Sequence, residues 1–269
     1  TTTSPRGGSP SSALSRRGQT EVSAMSESVC YCCGWSYYNL NNHFKQSPIC
    51  LFPEFSDRQE ELLKGLTMGD GSITRSRGGG NFRMTISSVN EVWLRWIYAQ
   101  FGDRLATEPQ LVQDGEAAGE HARQYESFDD SGGEWEYSDV YEMAIRSHPR
   151  LTEMRETWYP DGDIRFPDDL SLTPTLAKTW YCSDGGLSWS DGTPHVNVGT
   201  WNESHRPEFL LDLFREHGYE PTYSEPLIRL FGDDRDRFLD WIAPAPAGFE
   251  YKWETEARER YDALKGGVE

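Results

Sequence analysis

Apolar positions along the chain fall into two stretches that follow the same order. Residues 56–110 read as helix, strands and helix, and residues 137–165 add a strand, a helix and a turn. Residues 173–253 then read as helix, strands, helix, strands, helix. A fixed order met twice predicts an α+β chain built from an internal repeat.

The halves can be laid against each other. Ser56, with Gln59 three residues later, forms a capping box before Leu62, Leu63 and Leu66, and that helix ends at Asp70-Gly71. Thr173 is the matching N-cap, with Pro174 in the first helical position. Its helix runs through Leu176 and Trp180 to Asp184-Gly185. Each half continues with an amphipathic helix, Val92-Trp93-Trp96-Ile97 or Phe209-Leu210-Leu213-Phe214. A strand–helix pair closes each one: Tyr141-Met143-Ile145 with Leu151-Met154-Trp158, and Leu227-Ile228-Leu230 with Phe238-Leu239-Ile242. Two segments stand outside the pattern. Residues 1–24 are Ser, Thr, Gly, Pro and Arg with few apolar side chains and are expected to be a disordered tail, with Met25 a candidate for the natural start. Residues 111–136 are rich in Gly and acids and are expected to be an exposed loop.

Composition changes the picture in two ways. The 269 residues carry 44 acidic and 26 basic side chains, a net charge of −18, with pI ≈ 4.7 and a mean hydropathy of −0.72. No apolar run is long enough for a membrane-spanning helix. Charge taken alone excludes a basic nucleic-acid binder. Lys occurs only at Lys45, Lys64, Lys178, Lys252 and Lys265. Abundant acid with scarce Lys resembles the cytosolic proteins of salt-in halophiles, whose surface repulsion is screened at molar salt over ~3 Å. The expected setting is a cytoplasmic, archaeal one, since residues 1–24 also lack the apolar core of a signal peptide.

The two motif helices end LKGLTMGDG (63–71) and AKTWYCSDG (177–185). Gly65 and Gly69 lie on one face of the first, and Thr179 and Ser183 take the matching positions in the second. Small residues at i and i+4 let two helices approach closely, which sets Asp70 beside Asp184. Close carboxylates repel unless a cation lies between them, and hard divalent ions suit such oxygen ligands. The alternative is that each Asp-Gly merely stops a helix. A carboxylate in the last turn opposes the macrodipole by ~0.3–1 kcal/mol. Meeting that disfavoured residue at both equivalent positions argues for a function.

Both nonapeptides resemble the LAGLIDADG motif of homing endonucleases. The resemblance extends over residues 54–253, including the segment from His148 to Trp189 and the tail RFLDWIAP and FEYKWE. It implies two pseudo-symmetric αββαββα repeats, residues 54–170 and 171–269, forming a DNA-binding saddle. It also implies Mg²⁺ or another divalent ion held by Asp70, Asp184, Gly69 and Ser183. In such a site the metals stabilise the attacking and leaving oxygens of a phosphodiester displacement. Each Asp would serve one strand of a double-stranded DNA substrate, leaving short 3′ extensions. The family places a Lys near each scissile phosphate; the matching positions here are Arg165 and Lys252. Guanidinium does not deprotonate, so Arg165 keeps the charge but not the proton chemistry. Arg75, Arg77 and Arg83 fall where the family places a DNA-reading sheet, and Arg suits guanine in the major groove. Alternate strand residues share a face, so Arg75 and Arg77 are expected to line the groove with Arg83 joining them.

The expected third unit, residues 25–53, carries four of the five cysteines. Cys30, Cys33, His43 and Cys50 can supply a tetrahedral zinc site, with Cys32 left over. Small zinc modules are folded by their metal and often contact nucleic acid. Cys182, inside the second motif helix, reads as a packing residue. Three functions follow in order of support: a monomeric, free-standing, site-specific double-strand DNA endonuclease; a non-cleaving DNA regulator or intron RNA maturase on the same scaffold; and an unrelated acidic enzyme, which the duplicated motif disfavours. The net charge of −18 then reports the solvent, and an Arg-lined inner face has to hide within it.

Overall fold

The computed structural model describes residues 28–30, 32–75, 80–117 and 137–266. Two short strands, β1 (Ser28–Val29) and β2 (Ser36–Tyr37), and helix α1 (Leu40–Gln46) form a small N-terminal module. The first repeat follows as α2 (Asp57–Met68), β3 (Gly71–Arg75), β4 (Phe82–Ser88), α3 (Glu91–Leu105), β5 (Gln110–Gln113), β6 (Val140–Ile145) and α4 (Pro149–Trp158). The second is α5 (Pro174–Asp184), β7 (Gly185–Ser190), β8 (Thr193–Gly199), α6 (Pro207–Arg215), β9 (Thr222–Ser224), β10 (Leu227–Leu230) and α7 (Gly232–Trp241). A final helix, α8, spans Arg258–Lys265. Each repeat is therefore αββαββα, as the family resemblance implies. The four-stranded antiparallel sheets share one topology, β3-β4-β6-β5 and β7-β8-β10-β9.

The expected disordered tail and residues 118–136 of the expected acidic loop lie outside the described residues. The start of that loop is not a loop. Residues 110–113 form edge strand β5, paired with β6 through a register shift between Leu111 and Gln113. All four of its residues are exposed, so burial imposes no apolar alternation for a sequence reading to detect. Among the described residues, no helix is long and apolar enough to cross a membrane.

Local signals behave as their chemistry dictates. Ser56 Oγ accepts from the Gln59 amide at 3.3 Å, and Gln59 Oε1 accepts from the Ser56 amide at 2.9 Å. Thr173 Oγ1 accepts from the Leu176 amide at 3.2 Å. Helices cover one face of each sheet, where Met84, Ile86, Met143 and Ile145 of the first half, and Leu187, Val196, Val198 and Ile228 of the second, enter a common core. A buried ion pair ties the halves together. Glu203 accepts from the Phe166 amide and from Arg206 at 3.3 Å, while Arg206 donates to the Phe166 carbonyl at 2.9 Å. The segment leaving the first repeat is thereby pinned to the second.

Helices α2 and α5 pack most closely of all. A Cβ placed on Gly65 would lie 2.7 Å from both the Leu176 carbonyl oxygen and Thr179 Cβ, and one on Gly69 would collide with Ser183 Cβ. Neither glycine can be replaced without moving backbone. Thr67 and Thr179 donate their hydroxyls to Leu63 O and Thr175 O, both at 2.8 Å, so this interface contains no dangling donor from them. Gly65→Ala sets two effects against each other. Helix propensity favours Ala by about 1 kcal/mol, while overpacking disfavours it by about 1–3 kcal/mol. The backbone oxygen cannot swing away like a side chain, so the second effect wins. The urea midpoint of Gly65→Ala should fall; an unchanged or higher midpoint would show a looser interface than described.

Candidate active site and nucleic-acid interface

The close helix packing decides where the two motif carboxylates end up. Asp70 follows the C-cap Gly69, and Asp184 is the last residue of α5. A Cβ on Gly69 would sit 3.5 Å from Asp184 Oδ2, so the two helix ends abut. Surrounding protein desolvates both carboxyls and raises both pKa values. Asp184 is pushed up to about 6, by burial first and then by the Asp70 charge, against an opposing pull from Lys252. Ser183 turns its hydroxyl back to the Thr179 carbonyl at 3.1 Å. Of the predicted metal group, then, Asp70, Asp184, Gly69 and Ser183 are brought together, with Ser183's hydroxyl already engaged.

The two basic candidates part company. Lys252 is buried, and its ammonium donates to Cys182 O at 2.5 Å and Gly185 O at 2.7 Å, with Tyr181 O at 3.4 Å. It caps the C-terminal carbonyls of α5 and lies 4.3 Å from the Phe249 ring centroid. Burial pulls its pKa down, opposed by Cys182, Asp70 and Asp184. Lys252 thus lies near enough to both carboxylates for their charges to act on it. Arg165 does not join them: its side chain is half exposed and reaches Asp168 at 3.4 Å.

Sheet parity separates the predicted arginines. In β3, Ile73 enters the core and Ser72 and Thr74 point away from the helices. Arg83 pairs with Thr74 and so stands on this helix-free face. Arg75 pairs with Phe82 on the opposite face, where its guanidinium lies 5.3 Å from the Phe82 centroid. The expectation that Arg75 and Arg83 line one groove is corrected by this register. Arg77 lies outside the described residues. The second sheet presents polar groups that the sequence reading missed. Ser188, His195, Asn197 and Arg229 alternate with the buried Leu187, Val196, Ile228 and Leu230. The buried atoms His195 Nδ1, Asn197 Oδ1 and Arg229 Nε have no hydrogen-bond partner among the described residues. Burial, and then the Arg229 charge, lower the His195 pKa. Period-two alternation through Leu187, Val196 and Val198 was the available signal. Trp201, 70% exposed, is a second omission. Its Nε1 would be 3.3 Å from a Cβ on Gly199, which would itself be 3.3 Å from Asp184 Cβ.

In the N-terminal module, the ligand atoms of Cys30, Cys33, His43 and Cys50 all lie within 4.8 Å of one another. Cys33 Sγ is 3.7 Å from His43 Nε2. Ligands of a tetrahedral zinc with bonds near 2.0–2.3 Å stand roughly 3.5–3.8 Å apart, so this donor set fits zinc. The Gly34 amide donates to Cys30 O and the Cys30 amide to Trp35 O, both at 2.8 Å, forming the turn that brings the first two thiols together. Cys32 is exposed and outside the cluster, and Cys182 is buried in the core.

Two αββαββα repeats joined through paired motif helices define a fold class that bears its carboxylates at the seam. A model of the LAGLIDADG DNA endonuclease family matches residues 60–217. The chain belongs to that family. It is 26% identical over 136 residues to the uncharacterized protein MJ1098 of Methanocaldococcus jannaschii, a match covering 49% of this chain and 45% of that protein. The chain thus matches less than half the length of this curated relative. Among solved structures, the homing endonuclease I-WcaI bound to its DNA recognition sequence has a TM-score of 0.62 at 16% identity, over 81% of this chain and 93% of that one. The meganuclease I-SmaMI bound to uncleaveable DNA gives 0.43 at 10% identity, over 81% and 98%. The likeness to I-WcaI shows a shared fold.

The raised carboxyl has a thermodynamic consequence. Asp184, ordinarily near 3.8, titrates at about 6 in the fold. The folded state therefore binds more protons than the unfolded state between these values, and stability falls as pH rises through them. Without divalent ions, the stability difference between Asp184→Asn and the unaltered protein should move in the variant's favour from pH 4 to pH 7 in urea melts. A pH-independent difference would contradict the coupling.

Proposed function

We propose that this chain is a site-specific double-strand DNA endonuclease acting as a single-chain, monomeric homing endonuclease. The observation that carries the reading is the pair Asp70 and Asp184, held at equivalent ends of two tightly packed helices, both desolvated, with Asp184 raised further by the Asp70 charge. Such a pair suits a hard divalent ion, and Mg²⁺ is the proposed cofactor. When bound, the metal supplies charge stabilisation for phosphodiester hydrolysis. The chain's own residues do the rest. Asp70 and Asp184 offer acceptor oxygens, with the Gly69 and Ser183 backbone carbonyls beside them. Lys252 acts as a positioning residue: its protons are taken up by α5 carbonyls, so it steadies Asp184 and offsets carboxylate charge. Arg83 on the first sheet, and His195, Asn197 and Arg229 on the second, offer the base-edge and phosphate contacts. I-WcaI, whose fold this chain shares, is a protein solved on its DNA recognition sequence. Zn²⁺ is proposed for Cys30, Cys33, His43 and Cys50, and a salt-rich cytoplasm for the working environment.

One observation favours a second reading, a DNA-binding protein that does not cut. Arg165 pairs with Asp168 and is half exposed. Incubation with the native locus and Mg²⁺ at molar KCl separates the two. Double-strand breaks should form, and Asp70→Asn and Asp184→Asn should each lose at least about 100-fold in cleavage while still binding. Tight binding without breaks in any divalent metal would instead establish the second reading. Metal analysis should find one zinc per chain, absent from Cys33→Ser; a metal-free unaltered chain would remove zinc from the account.

A further inference from the structure

The N-terminal module has a charge unlike the rest of the chain. Residues 28–53 contain no Asp or Glu, and the same is true of residues 71–90, which include Arg75, Arg77 and Arg83. These acid-free segments meet in space. Lys45 Nζ would be 2.6 Å from a Cβ on Gly80, just before β4. The module is also seated on the first repeat. His148 shares a hydrogen bond of 2.9 Å with the Pro53 carbonyl through Nε2, and its ring meets Phe52 and Phe55 at 5.3 and 4.6 Å. The His148 amide in turn donates to Phe82 O, which fixes the module at the β4 start. Asp70 sits at the opposite end of β3.

The module's open side suits a nucleic acid. Trp35 and Tyr38 are 72% and 67% exposed. An open cleft of ≈ 380 Å³ is lined by Tyr38, Asn39, Asn42 and Gln46 among others. Amide and phenol groups satisfy phosphate, sugar and base-edge partners, and exposed aromatic rings pack on sugars and bases. On a chain of net charge −18, two segments without acids that meet at Lys45 and Gly80 are where a polyanion can approach.

We propose that the zinc module is a second DNA-docking surface that grips duplex outside the stretch read by the first sheet. The proposal rests on the endonuclease reading. The five residues of β3 span about 17 Å at 3.3 Å per residue. With 3.4 Å per base pair, the module meets the duplex from about five base pairs outward of the cut.

The test uses the full chain and a duplex recovered with it from a randomised library. The Trp35→Ala/Tyr38→Ala variant should bind this duplex about tenfold more weakly and retain its zinc, measured alongside. Trimming the flank on the module's side should weaken the unaltered chain by a similar factor, which reads the same contact without any substitution. The variant should show no further loss on the trimmed duplex. Recovery of a duplex whose flank is dispensable to the unaltered chain overturns the docking proposal alone. Failure to recover any duplex overturns both it and the endonuclease reading. A concentration-dependent dimer abolished in the variant assigns the patch to a second copy of the chain and also overturns the proposal.

Discussion

Everything distinctive about this protein depends on how closely helices α2 and α5 approach. Gly65 against Thr179, and Gly69 against Ser183, leave no room for a larger residue on either side. The contact joins the two repeats and simultaneously brings their acidic helix ends together. A wider crossing would relieve the carboxylates but separate the site. The tight crossing holds two like charges in a partly desolvated place, and the shift of Asp184 to about 6 records the consequence. Lys252, buried on the α5 carbonyls, supplies the compensating charge from within the fold.

The large negative charge is unevenly spread over this scaffold. Acids crowd helix surfaces, as with Glu208 and Asp212 on α6 or Asp233 and Asp234 on α7, where Arg215 and Arg237 pair with some of them. The hairpin of β3 and β4 and residues 28–53 contain none. Net charge is a sum over the molecule, while a docking ligand feels the local field. At high salt that field is short-ranged, and counterion release contributes less, so shape and base-edge contacts carry more of the recognition in the proposed function.

The repeats are alike in topology and unlike in surface. Arg83 belongs to the helix-free face of the first sheet, while the second offers His195, Asn197 and Arg229 there. Lys252 has no counterpart of equal placement in Arg165, which is held at Asp168. A pseudo-dimer of this kind keeps the symmetry needed for its seam and discards it where a partner would be read.

Local and periodic features were determined by sequence alone. The capping box at Ser56 and the Thr173-Pro174 start depend on neighbours three residues away, and the repeat order depends on apolar spacing. The motif glycines and the cysteine spacing likewise carry their chemistry within a few residues. Only tertiary structure decided the rest. Arg75 and Arg83 part because strand register assigns faces, and register is set by pairing with another strand. Strand β5 escaped detection because an edge exposed along its whole length needs no alternation. Trp201 nears Asp184 through Gly199, and Lys252 meets α5 from 70 residues away along the chain at Cys182. Such contacts between distant segments are made by folding, so no window of the sequence contains both partners.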